Sequence, residues 1–192
     1  MLSFASRNSK EILRDRLNLA FGIGFPIVLL LLLSLIQSNI PVELFAIEKL
    51  SPGVAVFGLS FISLFSGMVI ARDRTSSFML RLFASPMTAA DFILGYTLPL
   101  LPMAAAQMAV CYAAALLLGL GFSFNILVAI AASIPAAVLF IGLGLLCGSL
   151  FSDKQVGGIC GALLTNLSAW LSGTWFDLNL VGGAFKAIAD ML

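Results

Sequence analysis

The chain has 192 residues, 61% of them apolar and only 10% charged, where an ordinary soluble domain carries about a quarter charged residues. Its net charge of +1 comes from ten basic and nine acidic residues, and no basic face or stripe of the kind a nucleic-acid binder needs runs through it. Histidine is absent, which removes the commonest general base and the commonest transition-metal ligand.

The first segment, residues 1–16, is polar and basic (SRNSKEILRDR from Ser6), with Ile12 and Leu13 as an apolar edge. It reads as a short helix at the membrane surface, or else as a solvated tail, and Asn8 with Glu11 has the spacing of a capping box. Apolar runs longer than the roughly 18 residues of a spanning helix follow. Five spans are predicted, at 17–37, 52–71, 92–118, 126–150 and 156–175. The first is too long for a cleaved signal, and Ser34 and Ser38 match a cleavage site poorly.

Local chemistry marks the boundaries. Pro52 and Gly53 are expected to open the second span, Thr88 with Asp91 to cap the third, and Gly119-Leu-Gly121 to end it. Residues 151–155 read as a tight turn. Pro26, Pro99, Pro102 and Pro135 fall inside spans, and the Pro99–Pro102 pair predicts that the third is bent or locally unwound. No internal repeat or low-complexity linker divides the chain, so 1–192 reads as one transmembrane domain.

The charges sort by side. Arg7, Lys10, Arg14, Arg16, Arg72, Arg74, Arg81 and Lys154 fall on one side, and only Lys49 and Lys186 on the other. The excess of Lys and Arg predicts that the first side, and with it the N-terminus, is cytoplasmic. Residues 176–192 then lie outside the cell.

The spans hold no Asp, Glu, Lys, Arg or His away from their ends. Coupled carriers and voltage sensors place such groups in the membrane, and a bilayer enzyme needs carboxylates, a metal or an activated nucleophile. No catalytic, cofactor or metal residue is therefore assigned. Cys111, Cys147 and Cys160 fit no metal spacing and read as small apolar side chains. The intramembrane polar candidates are Gln107, Thr165 and Asn166, which serve either helix–helix hydrogen bonding or a substrate path. The Gly144/Gly148 and Gly157/Gly161 pairs are read as packing within the subunit, with a dimer seam as the other reading. Trp170, Trp175 and Phe176 fit an interfacial belt.

Residues 72–91 stand apart. Arg72-Asp73-Arg74 leads into a cap at Thr75 or Ser76, and Phe78, Met79, Leu82 and Phe83 share one helical face. Ser85-Pro86 stops the helix. Such a short amphipathic helix, fixed between two spans, lies on lipid or docks in a groove of a soluble partner.

The run Asp73-Arg74…Leu80-Arg81-Leu82…Ala84-Ser85-Pro86…Asp91…Gly95-Tyr96 resembles the first cytoplasmic loop of ABC-2 type transporter permeases. The N-terminal KEILRDRLNLAFGIGFPIVLLLL and the stretch Leu171-Ser172-Gly173-Thr174-Trp175-Phe176 are similar to further parts of that family. Asp73 stands where the family usually has Glu, and Ser76-Ser77 where it usually has Gly.

The resemblance implies an all-α membrane fold of six helices per subunit and a dimer with a second copy or paralogue. It also implies a separate cytoplasmic ATPase that meets the loop helix through Phe78, Met79, Leu82, Phe83, Ser85 and Pro86. ATP and Mg would be held by that subunit, since no GxxxxGK[ST] loop occurs here. The implied role is an exporter in the bacterial plasma membrane for drug-like or lipid-like compounds. A polysaccharide exporter, or an assembly protein that does not transport, is the alternative. The family pattern has a sixth span after Leu192, so a truncated chain is expected.

Overall fold

The computed structural model describes residues 2–41 and 45–171, and among these every regular element is helical. Helix α1 (Leu2–Arg14) is followed by a first membrane helix built of α2 (Arg16–Leu19), a π-helical turn (Ala20–Gly24) and α3 (Phe25–Gln37). Then come α4 (Ile47–Thr75), the short α5 (Ser77–Phe83), α6 (Ala89–Leu117) and α7 (Asn125–Leu150). A last helical stretch runs through α8 (Asp153–Gly158), a second π-helical turn (Ile159–Leu164) and α9 (Thr165–Leu171). Four helices are long and apolar enough to cross a bilayer: Ala20–Gln37, Ile47–Thr75, Ala89–Leu117 and Asn125–Leu150. The end of the expected fifth span, 172–175, and the segment 176–192 lie outside the described residues. So do Lys186, Trp175, Phe176 and the Ser172–Phe176 part of the family motif.

Several boundaries differ from expectation, each for a physical reason. Helix α1 starts at Leu2, so Asn8 and Glu11 are interior residues and not a cap. Helix α4 begins at Ile47, and Pro52 sits in its second turn, where only the bond to the Glu48 carbonyl is lost. Helix α6 is α-helical through both Pro99 and Pro102 and does not unwind. The widened turn appears instead ahead of Pro26: this residue cannot donate to the Gly22 carbonyl, and the ladder shifts to π spacing over Ala20–Gly24. The second π turn is patched by Thr165, whose hydroxyl donates to the Cys160 carbonyl at 2.9 Å.

Other signals match the structure. Ser76 caps α5 by accepting from the Phe78 amide, and Thr88 with Asp91 forms a reciprocal capping box on α6. Residues 151–155 are a turn only at their start: Ser152 with Gln155 forms a capping box, so α8 already begins at Asp153. Gly119 takes φ 104°, the left-handed conformation suited to glycine after a helix C-terminus.

Helix α4 is the central element. It buries Leu59, Ile62, Phe65 and Ile70 against α6 and α7, and Val54 and Phe57 against α3. Its approach to α7 depends on glycine. A Cβ on Gly144 would collide with the Ser63 carbonyl and the Ser66 hydroxyl, and one on Gly148 with the Gly67 carbonyl. Ser66 in turn donates to the Ile141 carbonyl at 3.1 Å. The Gly144/Gly148 pair thus packs inside the subunit, as expected of small residues where backbones meet. The second pair does not behave alike: Gly157 faces open space, and Gly161 meets Leu64 only at 3.4 Å.

This contrast sets a prediction. Gly157→Ala should raise stability by about 0.5–1 kcal/mol through helix propensity. Gly144→Ala should instead lose about 1–3 kcal/mol through overpacking. Thermal unfolding in detergent reads both, and equal effects would refute the α4–α7 contact.

Candidate functional site

The ends of α1, α4, α6 and α7 and the whole of α5 gather at one end of the bundle. At their centre is Asp73, in the last turn of α4 and only 2% exposed. A buried carboxylate is expensive unless its oxygens are satisfied. Here Arg7 of α1 donates to both oxygens, at 2.7 and 2.8 Å, and the Tyr96 hydroxyl of α6 donates at 2.8 Å. A bidentate guanidinium pair fixes orientation as well as charge. Glu11 adds an i,i+4 pair to Arg7 at 2.8 Å. The bond to Asp73 raises the pKa of Arg7 above its ordinary value, so the guanidinium stays charged, and this contribution is full below the ordinary arginine pKa wherever the carboxylate is ionised.

The neighbouring Asn8 resolves a second problem. Pro99 has no N–H for the carbonyl of Gly95, four residues earlier. Asn8 Nδ2 donates to that carbonyl at 3.0 Å, and its Oδ1 accepts from Arg7 at 3.0 Å. Gly95 has no side chain because the ring of Phe4 occupies the place a Cβ would take. Phe4 meets Tyr96 edge-on at 4.9 Å, and Phe92 meets Tyr96 likewise at 5.1 Å. Arg7 also lies over the Phe78 ring, 4.0 Å from its centroid, a cation–π contact that reaches α5. One arginine therefore joins α1, α4 and α5, with α6 held through Tyr96 and Asn8.

Further ties close the same end. Arg74 donates to the Gly148 and Phe151 carbonyls at 2.9 and 3.2 Å, satisfying acceptors that the end of α7 leaves free. Arg72 pairs with Asp15 at 3.3 Å and with Asp153 at 3.8 Å.

The expected docking residues divide between two sides of α5. Met79 is 8% exposed, and Phe78 and Leu82 also pack against the chain's own core. Phe83 is 74% exposed and stacks at its edge on Phe92 at 6.2 Å. Leu80, also 74% exposed, lies on the outward side with Arg81. Ser85 turns its hydroxyl to the Leu82 carbonyl at 2.6 Å, closing α5, and Pro86 follows it exposed. A groove of about 730 Å³ opens between α5 and the ends of α4 and α7, lined by Arg74, Ser77, Met79, Leu80, Phe83 and Ser149 among others.

The intramembrane candidates are not brought together. Gln107 is fully buried, donates to the Ala55 carbonyl at 3.2 Å and sits over Gly58. Thr165 is buried at the second π turn, while Asn166 is exposed and donates to the Ala162 carbonyl at 2.7 Å. The contacts of all three are helix–helix or intrahelical. Cys111 and Cys160 are buried and Cys147 half-buried, and all are free thiols. Among the described residues no three of His, Cys, Asp and Glu gather closely enough to hold a metal ion. Arg7, Asn8, Asp73 and Tyr96 carry the site; Arg7 was expected only among the cytoplasmic charges, Asn8 in a capping box, and Asp73 and Tyr96 in the family-like run, and nothing in the sequence brings the four together; an acid at a span end, with a tyrosine at the same end of the next span, was the available signal.

A bundle of long apolar helices whose ion pairs, among the described residues, all lie at one end defines a multi-span membrane protein. The whole chain, residues 1–192, matches the family model described as ABC-2 type transporter, and the chain belongs to that family. It is the membrane permease component of an ABC transporter. No curated protein and no solved structure matches it.

Removing Arg7 leaves the Asp73 carboxylate buried. A fully buried pair loses about 3–5 kcal/mol on such a cut. The Arg7 side chain is 36% exposed, so Arg7→Ala should lose about 2–3 kcal/mol after screening. Tyr96→Phe should lose about 1.5–3 kcal/mol. A double-mutant cycle by detergent unfolding checks this; additive losses would show that the two donors do not share one acceptor.

Proposed function

We propose that this chain is the transmembrane permease subunit of an ABC exporter, driven by ATP hydrolysed in a separate cytoplasmic subunit. The observation that carries the reading is α5, a short helix capped at both ends and braced through Phe78 against Arg7 and Asp73. A rigid piece between two spans can receive force from a soluble partner and pass it on, whereas a loose linker cannot. The gathered polar ties support placing this end, with the N-terminus, in the cytoplasm.

The ATPase meets α5 on its outward side, through Leu80, Arg81 and Phe83 and the groove beside them. Phe78, Met79 and Leu82 serve that contact from behind by holding the helix in place. The subunit works as a dimer with a second copy or a paralogue. Five spans are proposed, the last containing α8, the second π turn and α9. Because Asp, Glu, Lys, Arg and His are missing from the middle of the spans, the substrate is proposed to be amphipathic, drug-like or lipid-like, and to move outward along apolar surfaces.

The test uses the full chain purified with its cognate ATPase subunit. Leu80→Ser with Phe83→Ser should lower ATPase binding at least ten-fold while stability falls by no more than about 1.5 kcal/mol, since both are exposed and only the Phe83–Phe92 stack is lost. Met79→Ala should lower stability by about 2–3 kcal/mol, as for other buried methionines. Unchanged binding and unchanged ATP hydrolysis in the Leu80/Phe83 double variant would defeat this reading.

A further inference from the structure

Helix α1 has an outer face that the site above does not use. Its inner stripe, Phe4, Asn8 and Ile12, is buried. Through Asn8 this stripe meets the Gly95 carbonyl, and Gly95 is the seventh residue of α6, roughly 9 Å along the helix at 1.5 Å per residue. Helix α1 therefore lies beside the spans and does not project from them, at the depth where interfacial helices sit.

The charges on α1 and the turn after it are sorted by direction. Both acids point towards the protein and are paired: Glu11 with Arg7 at 2.8 Å and Asp15 with Arg72 at 3.3 Å. Lys10, Arg14 and Arg16 are exposed and have no ion-pair partner among the described residues. Between them Leu13 stands 67% exposed. Lys10, Leu13 and Arg14 are three and four residues apart, so they share one face. An exposed leucine among unpaired cations sets an apolar tip within a positively charged patch. It suits a surface apolar below and negative above, with the long basic side chains reaching up past the apolar layer.

We infer that Lys10, Leu13, Arg14 and Arg16 form a binding face for anionic lipid headgroups, with Leu13 inserted into the acyl boundary. The partner is specified by charge: a phosphodiester headgroup with net negative charge, in preference to a zwitterionic one. This does not depend on transport, on α5 or on the ATPase, so it can stand or fall separately from the proposed function.

The full chain is reconstituted into vesicles of equal parts phosphatidylglycerol and phosphatidylcholine, extracted in mild detergent, and its retained lipid is measured by mass spectrometry. The wild-type chain should retain phosphatidylglycerol in clear excess, and raised salt should reduce that excess. Lys10→Gln, Arg14→Gln and Arg16→Gln together should cut it roughly ten-fold or more, each base near an anionic surface being worth roughly five-fold. Should the triple variant not fold, Lys10→Gln alone should lower it roughly five-fold. Leu13→Ser should weaken retention of both lipids. Arg81→Gln, exposed on α5, serves as the control and should leave the ratio unchanged. An undiminished excess in the folded triple variant or, failing that, in Lys10→Gln overturns the inference. So does an equal drop in Arg81→Gln, and so does an unchanged lipid ratio accompanied by loss of ATPase binding, which would assign the face to a protein partner.

Discussion

A carboxylate at the end of a membrane helix must find donors or leave the protein interior. Asp73 finds three hydrogen bonds from two side chains, Arg7 and Tyr96, and those side chains come from two helices, α1 and α6, that also meet through Asn8 and Phe4. The position of α1 follows, since Arg7 is a residue of α1. The position of α5 follows too, because α5 starts four residues after Asp73 and packs Phe78 under the same guanidinium. What looks from outside like an amphipathic piece between two spans is thus tied to the N-terminus and to the beginning of the next span.

Around that tie, residues that individually disfavour helix packing are used in pairs. Pro99 strips the Gly95 carbonyl of its partner, and Asn8 supplies one. Gly95 forfeits a side chain, and Phe4 fills the space. Gly144 and Gly148 give up helix propensity and let α7 touch α4 along Ser63, Ser66 and Gly67. In a bilayer, close backbone contact and satisfied polar groups take the place that hydrophobic burial holds in a soluble core. A permease must still shift its helices against one another. Among the described residues the ion pairs gather at one end, while apolar packing and a few neutral hydrogen bonds, such as those of Ser66 and Gln107, join the helices elsewhere.

Much of this was legible in the sequence, and the limits have physical causes. Membrane character, four of the spans, and the caps at Ser76 and Thr88 follow from hydropathy and local hydrogen-bond chemistry. Helix ends shifted where a proline proved tolerable, as at Pro52, since one missing bond near a helix start costs little. The stripe Phe78, Met79, Leu82 and Phe83 was visible as a stripe, but its direction depends on α1, to which periodicity is blind. The Asp73 cluster was hidden for the same reason: Arg7 and Asp73 are 66 residues apart in the chain, and no local rule pairs them. Prolines mislead similarly. Pro99 reads as a break until Asn8, on another helix, is placed against it.

The central claim is that Asp73 makes α1 and α5 one mechanical unit with the end of α4. Amide hydrogen exchange on the purified full chain, comparing the native protein with Asp73→Asn, tests it most directly. Expected is a joint rise in exchange across residues 2–14 and 77–83, about ten-fold or more in each for a loss of roughly 1.4 kcal/mol or more of local stability, with the α4–α7 contact near Gly144 unchanged. If only one of the two segments responds, or neither, then Asp73 does not couple them.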